Sequence, residues 1–306
     1  MPKNSKLDKL DLQILGSLLD NCRESDRQIG NKVGISGAAV KSRIEKMIQN
    51  GMIENFTLKI EPPVLGYNLI YIVTTGQDTD EILMQVKLIG EPFFMVPCVG
   101  GITVCGIVVK EDVQQKIEIM RNLMKDVRIL SIFEAVNPGV RSDLIKTDLE
   151  IINQLMKNPR MKIEDLAKST KLSTKTVARS LKKLQDDEAI QFTLIYNPAK
   201  FNQYIPFAVL TWIDGNLNET LNRLKKEFSS YFLQKPFIAK NQIVLFLYSN
   251  NIFELDNITQ QVRNVKGVSL ADLFIPKKIE LPQQWIKDTI KSSKSSGKLH
   301  LMYQTN

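Results

Sequence analysis

The sequence has few of the residues that usually carry catalysis or hold metal ions. It contains one histidine, His300, and three cysteines among 306 residues. The cysteines show no spacing typical of a metal site. Cys98 and Cys105 flank a predicted hairpin but fall out of register, so we expect buried free thiols and no disulfide. We predict no catalytic residue, no metal site and no cofactor, and we interpret His300 as a solvent-exposed tail residue.

Long apolar runs are missing as well. No run approaches the ~18 residues of a membrane span, and the polar N-terminus does not resemble a signal peptide. We expect a cytoplasmic protein with no membrane partner. Apolar residues make up 43% of the chain, enough to bury real cores, and the length favours more than one domain. The net charge of +8 is modest and does not by itself distinguish nucleic-acid binding from ordinary solubility.

The most informative feature that is present is an internal repeat. The segment Leu7–Leu12 recurs as Leu144–Leu149, a spacing of 137 residues. The match continues without a gap to Leu181 and then, after the loss of one residue, to Phe192–Leu194. This period is too long for a solenoid, so the repeat indicates a duplicated pair of domains.

Each copy has the pattern of a winged helix-turn-helix. In the first copy, three stretches with helical spacing of apolar residues precede a short β-hairpin or wing at 52–60. Gly34 is expected to make the tight turn before the third helix, and Gly51 to end that helix. In the second copy Lys171 replaces Gly34. A lysine in a left-handed conformation costs about 1 kcal/mol, which bears on the turn but not on the repeat.

Between and after these modules the pattern changes to β-α-β-β-α-β, which is the ferredoxin-like order. The first such stretch runs from Leu69 to Val136 and the second from Phe207 to Ile275. The predicted fold class is therefore α+β, with two winged helix-turn-helix domains alternating with two ferredoxin-like domains. The predicted domains lie at 1–62, 63–140, 141–200 and 201–280, followed by a C-terminal helix and flexible basic tail at 281–306.

The third helix of each winged module is expected to enter the major groove of double-stranded DNA, with its N-terminal residues nearest the bases. Serine and threonine bond to several base edges or to phosphate, while arginine prefers guanine. The tip is small and apolar in copy one but polar and basic in copy two, so the two readers should prefer different sequences. The predicted DNA-binding residues are Ser36, Gly37, Ala38, Lys41, Ser42 and Arg43 in copy one, and Ser173, Thr174, Lys175, Thr176, Arg179 and Lys182 in copy two.

These motifs resemble those of the Lrp/AsnC, or feast/famine, transcription regulators. The resemblance rests on Leu7–Asp11, Val33–Ser36, the helix end at Gly51 and the stretch Ile53–Thr57. It covers residues 7–137 well and 144–280 more weakly, and the ferredoxin-like parts match mainly in pattern. That family joins one winged helix-turn-helix to one ferredoxin-like domain for ligand binding and oligomerisation. This chain therefore resembles a tandem fusion of a kind associated with archaea.

The resemblance implies a sequence-specific transcription regulator that binds double-stranded DNA as a homodimer or higher oligomer. In the single-copy family, two ferredoxin-like sheets pack face to face to form a dimer. We expect the two sheets of this chain to form the same pair, giving a pseudo-dimer with non-identical readers. The sequence leaves open whether that pair forms within one chain or by exchange between two chains.

The resemblance also implies a small-molecule effector site at the turn between the second and third strands. Amino-acid-sensing members tend to carry a glycine followed by two alternating acidic residues at this turn. Here Gly100 and Gly101 are followed by Ile102, Thr103 and Val104, so a ligand's ammonium group would lose its water without gaining a partner. We expect a ligand other than an ordinary amino acid, or none. Gly100 and Gly101 remain candidate ligand residues, and we interpret them mainly as a tight turn.

Two other functions stay open at this stage. Sirohaem decarboxylases also resemble the AsnC-type fold and can be fused in pairs, but they need histidine or arginine near a tetrapyrrole, and no histidine precedes His300. A protein-interaction module with degenerate winged helices is the other alternative, and DNA affinity that does not change with salt would indicate it. The lysines of the tail are interpreted as solubilising, with a DNA-contacting arm as the alternative. They are Lys287, Lys291, Lys294 and Lys298.

Overall fold

The computed structural model of the chain describes residues 7–110, 112–135 and 143–296, with side chains as far as Ser292. His300, Lys298, the side chain of Lys294 and the predicted domain boundary between 140 and 141 lie outside the described residues. In the described ranges, no helix has both the length and the apolar character that a membrane crossing requires.

The N-terminal module contains three helices and one strand, each close to its predicted position. Capping side chains start the helices: Asp8, Ser25 and Ser36 each accept a hydrogen bond from a main-chain N–H of the first turn. One apolar face of each helix is buried, and Ile14, Ile29 and Val40 have no exposed surface. The elements are α1 (Lys9–Asp20), α2 (Asp26–Val33), α3 (Gly37–Gln49) and β1 (Ile53–Ile60).

The first ferredoxin-like domain follows in the predicted order. Its four antiparallel strands have the order β3-β4-β2-β5, with the first strand of the domain between the third and the fourth. Both helices pack on the same core, to which they contribute Ile82, Val86 and Met120. The elements are β2 (Asn68–Thr75), α4 (Thr79–Val86), β3 (Glu91–Pro97), β4 (Ile102–Val109), α5 (Val113–Leu123) and β5 (Arg128–Ala135).

The second winged module repeats the first. Leu166, Val177 and Leu184 are fully buried on the inner faces of its second and third helices. Lys171 has φ of 57°, in the left-handed region, where Gly34 of the first copy has φ of 79°. The turn geometry is therefore kept without glycine. The elements are α6 (Lys146–Leu155), α7 (Ile163–Thr170), α8 (Thr174–Asp186) and β6 (Ile190–Tyr196).

The second ferredoxin-like domain has the same topology, with strand order β10-β7-β9-β8. Both ferredoxin-like domains have the predicted order of elements, and the predicted α+β fold class is confirmed. The elements are β7 (Ile205–Ile213), α9 (Leu217–Glu227), β8 (Phe232–Ala239), β9 (Gln242–Ser249), α10 (Ile252–Asn264), β10 (Val268–Phe274) and a final helix α11 (Gln284–Ser296).

The wing differs from its prediction. The sequence predicted a hairpin or wing inside each copy, but each copy supplies a single strand, and β1 pairs with β6 in a two-stranded sheet. The Asn197 N–H donates to the Met52 carbonyl at 2.8 Å, and the Glu61 N–H donates to the Ala189 carbonyl at 3.0 Å. The strand partner is thus the matching strand of the other copy.

The described residues form two compact units, and both halves of the sequence contribute to each. Unit 1 comprises the described residues of Met1–Asn55, Val96–Ile102 and Leu194–Ile279. It therefore joins the first winged module to the second ferredoxin-like domain. Unit 2 comprises the described residues of Phe56–Met95, Thr103–Thr193 and Glu280–Asn306, which join the first ferredoxin-like domain to the second winged module.

Within unit 1, helix α1 packs against the edge strand β8. The approach is close because Gly16 has no side chain: a Cβ there would lie 2.9 Å from the Leu233 carbonyl oxygen. An ion pair of 3.4 Å between Asp20 and Lys235 borders this contact. The helix covers main-chain groups at an edge that would otherwise be open.

Within unit 2, the C-terminal helix α11 is anchored by its first turns. Trp285 is 1% exposed and lies edge-on to Tyr67 and Phe93, with ring centroids 5.4 and 6.1 Å away. The Gln283 amide donates to the Thr57 hydroxyl at 2.9 Å. The Tyr67 hydroxyl lies 2.9 Å from that of Thr289. These contacts fix α11 on β1 and the first ferredoxin-like domain, and α11 also touches α6 of the second winged module.

The three cysteines are free and buried, as predicted. Burial raises the pKa of the Cys98 thiol to about 12 and that of Cys105 to about 12. These two thiols therefore stay protonated at neutral pH and pack as small apolar groups.

Candidate nucleic-acid interface

The two recognition helices, α3 and α8, have the same length and begin in the same way. The Ser36 hydroxyl accepts from the Ala39 N–H at 3.2 Å, and the Ser173 hydroxyl accepts from the Thr176 N–H at 3.1 Å. Both serines are exposed, so each can contact a ligand only while it also caps its helix. Among the predicted reader residues, these two hold the first turn in place.

The outer faces of the two helices are exposed where the sequence predicted DNA contact. In α3, Ala38, Lys41 and Ser42 are exposed, while Gly37 is half-buried because Arg27 main-chain atoms lie 3.2–3.3 Å from where its Cβ would be. In α8 every predicted residue is exposed: Ser173, Thr174, Lys175, Thr176, Arg179 and Lys182. The structure thus brings most of the predicted side chains of each module onto one helix face.

Arg43 departs from the prediction that its side chain is exposed. It is half-buried, and its guanidinium lies 2.6 Å from Asp11 and 2.9 Å from Asp8. The hydrogen bond to Asp11 raises the pKa of Arg43. Burial tends to raise the pKa of Asp8, but hydrogen bonds from the Asp11 main chain and from Arg43 outweigh it and lower that pKa. Arg43 therefore braces α3 against the start of α1.

The second module keeps the acid of this brace but changes its partner. Asp148, which matches Asp11, is 2% exposed and accepts a hydrogen bond of 2.5 Å from Ser180, which matches Arg43. Lys183 also lies 3.3 Å from Asp148, and its ammonium donates to the Asp143 carbonyl at 2.6 Å. The buried carboxylate is thus fully engaged inside the module.

The two outer faces differ in charge. Lys41 and Glu45 lie one turn apart on α3 with 3.9 Å between their charged groups, so their charges cancel. At the matching positions of α8, Lys41 becomes Ala178 and Glu45 becomes Lys182. Lys175 and Arg179 add two further cations, and Asp186 offsets one charge by pairing with Lys182. At these matched positions the second reader therefore carries more positive charge than the first.

A cleft beside the first reader was not predicted. It has a volume of about 170 Å³ in unit 1, and Arg43, Lys46 and Asn50 of α3 line it together with Lys200. Lys200 was missed because it follows the second wing strand, far along the chain from the other three. Its alkyl chain lies 3.8 Å from where a Cβ on Gly51 would be. The cleft places a further cation near the end of α3.

The predicted effector turn has the geometry of a tight hairpin. Gly100 and Gly101 have φ of 81° and 71°, as a type I′ turn requires. The Thr103 hydroxyl that follows is buried and lies 3.0 Å from the Thr79 hydroxyl. A role of Gly100 and Gly101 in ligand binding stays a prediction.

Family models match both winged modules. One described as an AsnC-type helix-turn-helix domain matches residues 7–48. Another, described as winged helix-turn-helix DNA-binding, matches residues 146–191.

Several known proteins are similar to this chain. The HTH-type transcriptional regulator Ptr1 of Methanocaldococcus jannaschii is 30% identical over 111 residues, which are 35% of this chain and 75% of Ptr1. The HTH-type transcriptional regulator LrpA of Pyrococcus horikoshii is 40% identical over 73 residues, 24% of this chain and 50% of LrpA. Among solved structures, the siroheme decarboxylase NirDL has 11% identity and a TM-score of 0.48, with 94% of this chain and 100% of that chain covered.

Proposed function

The chain belongs to the Lrp/AsnC family of DNA-binding transcription regulators, and from this premise we propose that it reads DNA with two recognition helices of different specificity. The N-terminal halves of α3 and α8 would enter the major groove at two half-sites. The bound sequence would then be asymmetric and not a palindrome.

The observation that carries this proposal is the contrast between two helices of the same shape. Both are 13 residues long and serine-capped, with a buried apolar face. Their outer faces differ at matched positions, as Ser42 against Arg179 and Ala38 against Lys175 show. Arginine favours guanine because guanine presents two acceptors to it, whereas serine hydrogen-bonds to several base edges. Helices of equal shape and unequal chemistry are expected to read unequal half-sites.

The test is selection of bound DNA from a random library by the wild-type chain and by single variants. Arg179→Ala should relax one half of the selected motif, by about 1–3 kcal/mol for each base that the arginine no longer binds. Ser42→Ala at the matching position should relax only the other half. Arg43→Ala is the control. Asp8 and Asp11 hold the Arg43 guanidinium, so this substitution should leave the sequence of the motif unchanged.

Selection of a palindrome in which both halves respond to Arg179→Ala would contradict the asymmetric reading. Absence of any enriched motif at moderate salt would remove sequence-specific recognition. A protein-interaction module is separated by the salt series, since phosphate contacts make DNA affinity fall as salt rises. Affinity that stays constant with salt would favour that alternative.

We infer further that the chain acts on DNA without catalysing a reaction. Support comes from the two recognition helices, whose outer faces keep exposed polar and basic side chains, and from relatives named as transcriptional regulators. Incubation with a sirohaem-type tetrapyrrole should leave its absorbance spectrum unchanged. A product spectrum would overturn the inference.

The remaining proposals concern partners and place of action. We infer that the chain forms a homodimer or larger oligomer and acts in the cytoplasm, where it would meet its DNA. An effector, if the chain has one, would not be an ordinary amino acid, since Ile102 and Thr103 follow the turn at Gly100 and Gly101 where sensing relatives place acids. Pairing of the two ferredoxin-like sheets within one chain also stays a prediction.

A further inference from the structure

The helical layer of the first ferredoxin-like domain leaves an apolar surface uncovered. On α4 and the turn that continues it, Met84 is 64% exposed and Leu88 is 74% exposed. On α5, Ile119 and Leu123 are 44% and 41% exposed. Exposed apolar side chains grouped in this way are uncommon unless they mark an interaction site.

The four side chains lie on one layer of the molecule. Both helices bury their opposite faces in the same core, α4 through Ile82 and Val86 and α5 through Met120. Two helices that cover the same face of one sheet present their outer surfaces to the same side. The exposed residues therefore belong to one surface of unit 2, which we call the α4/α5 face.

Charged residues are arranged along α4 in a self-complementary way. Asp80, Glu81, Met84, Lys87 and Leu88 are all exposed. At 3.6 residues per turn the first three share one side of α4, and Lys87 and Leu88 follow in the turn that continues it. The acidic pair stands at the beginning, Met84 in the middle and Lys87 at the end. When a second α4 lies antiparallel across Met84, its Lys87 meets the acidic pair of the first, and the reverse contact forms by symmetry.

The second half of the chain offers an internal comparison. Helix α9 occupies the place of α4 in the second ferredoxin-like domain, and its exposed residues are all polar: Asn218, Glu219, Asn222, Lys225, Lys226 and Glu227. Helix α10 exposes apolar side chains only in its first turn, at Ile252 and Phe253. The second domain therefore has only polar exposed residues on the helix that matches α4, and its exposed apolar residues lie in the first turn of α10.

We propose that the α4/α5 face is the docking surface for a second copy of this chain, in a two-fold dimer with α4 antiparallel to α4. Met84 and Leu88 form its apolar centre, and the acidic pair with Lys87 forms its charged rim. Because each chain carries one such face and a two-fold contact uses the same face twice, assembly closes at two chains. This rests on the proposed function in one respect: the dimer would carry four winged modules.

The first test is the mass of the chain in solution, measured by sedimentation equilibrium over a concentration series. The wild type should form a dimer. Met84→Glu with Leu88→Glu should raise the dissociation constant by at least about 100-fold, because the apolar centre of an interface carries most of its affinity. Asn218→Glu with Asn222→Glu on α9 adds the same charge at the same spacing and should leave the mass unchanged.

A charge exchange tests the antiparallel arrangement. Asp80→Lys with Glu81→Lys in one variant, and Lys87→Glu in another, should each weaken self-association by placing like charges opposite each other. Mixing the two variants should restore a dimer that contains one chain of each, since both rim contacts then join opposite charges. All these residues lie on an exposed face, and thermal unfolding should show that each variant keeps its fold.

A wild type of single-chain mass throughout the series would overturn the proposal. So would a glutamate double variant that dimerises as tightly as the wild type, or a mixture that stays monomeric. The measurement uses no DNA, and the readers lie on other helices. The absence of dimerisation through the α4/α5 face is therefore distinguishable from the absence of DNA recognition.

Discussion

At the scale of single residues, the second recognition turn holds its shape against a local preference. Lys171 has φ of 57° where the first copy has Gly34. A left-handed conformation costs a non-glycine residue about 1–2 kcal/mol, and glycine loses about 0.5–1 kcal/mol through its freer unfolded chain. Lys171→Gly should therefore stabilise the second module by about 0.5–1 kcal/mol, measured by hydrogen exchange of the α7 and α8 amides. Lys168→Gly, one turn earlier inside α7, should destabilise it by about 1 kcal/mol. Equal changes in stability from the two substitutions would show that the left-handed conformation of Lys171 is not strained.

The carboxylate of Asp8, which accepts from the Asp11 main chain and pairs with Arg43, gives the first module a pH dependence of defined sign. The pKa of Asp8 is lowered from its ordinary value of 3.8, so its charged form is favoured by folding. Its contribution is present above that ordinary value and is lost as the pH falls through the lowered one. Asp8→Asn keeps an oxygen to cap α1 but removes the charge. The variant should show a smaller loss of stability on acidification than the wild type. Urea unfolding at a series of pH values measures this loss of stability. A loss in the variant equal to that in the wild type would rule out the ionisation of Asp8 as its cause.

At the scale of elements, the contact between α1 and β8 should reverse the stabilisation that Gly→Ala usually gives inside a helix. Gly→Ala inside a helix normally stabilises by about 1 kcal/mol. At Gly16 the added Cβ would lie 2.9 Å from the Leu233 carbonyl oxygen, and overpacking against main chain costs about 1–3 kcal/mol. We expect Gly16→Ala to lower the free energy of unfolding of unit 1. Asn153→Ala, at the matching position of α6, should change stability by less than about 0.5 kcal/mol. Stabilisation by Gly16→Ala would show that the helix and strand can separate.

Elements set by local pattern could be predicted from the sequence, and those set by distant partners could not. Gly34 and Gly51 predict where α3 begins and ends, and the structure places α3 between them. The partner of β1 is β6, about 137 residues away, and nothing in the local pattern of Ile53–Ile60 specifies it. Arg43 follows the same rule: its spacing suggests an exposed residue, but Asp8 and Asp11 come from another helix. Lys200 is close to α3 only through folding.

At the scale of the whole molecule, the unequal charge of the two readers should appear in the salt dependence of DNA binding. Each phosphate neutralised by a cation contributes a slope of about 0.9 to the fall of log affinity with log salt. Lys175, Arg179 and Lys182 stand exposed on α8, with Lys182 paired to Asp186, whereas at the matching part of α3 Lys41 is paired to Glu45. Removing the three cations of α8 together should lower the slope by up to about 2.7 per chain, while Lys41→Ala should lower it by at most about 0.9. Filter binding over a salt series measures both slopes. A reduction of no more than about 0.9 for the triple variant would mean that the cations of α8 make few phosphate contacts, and the charge contrast between the two readers would then not bear on DNA binding. The expected inequality would mean that phosphate contacts are concentrated on α8, in addition to the base readout proposed for both helices.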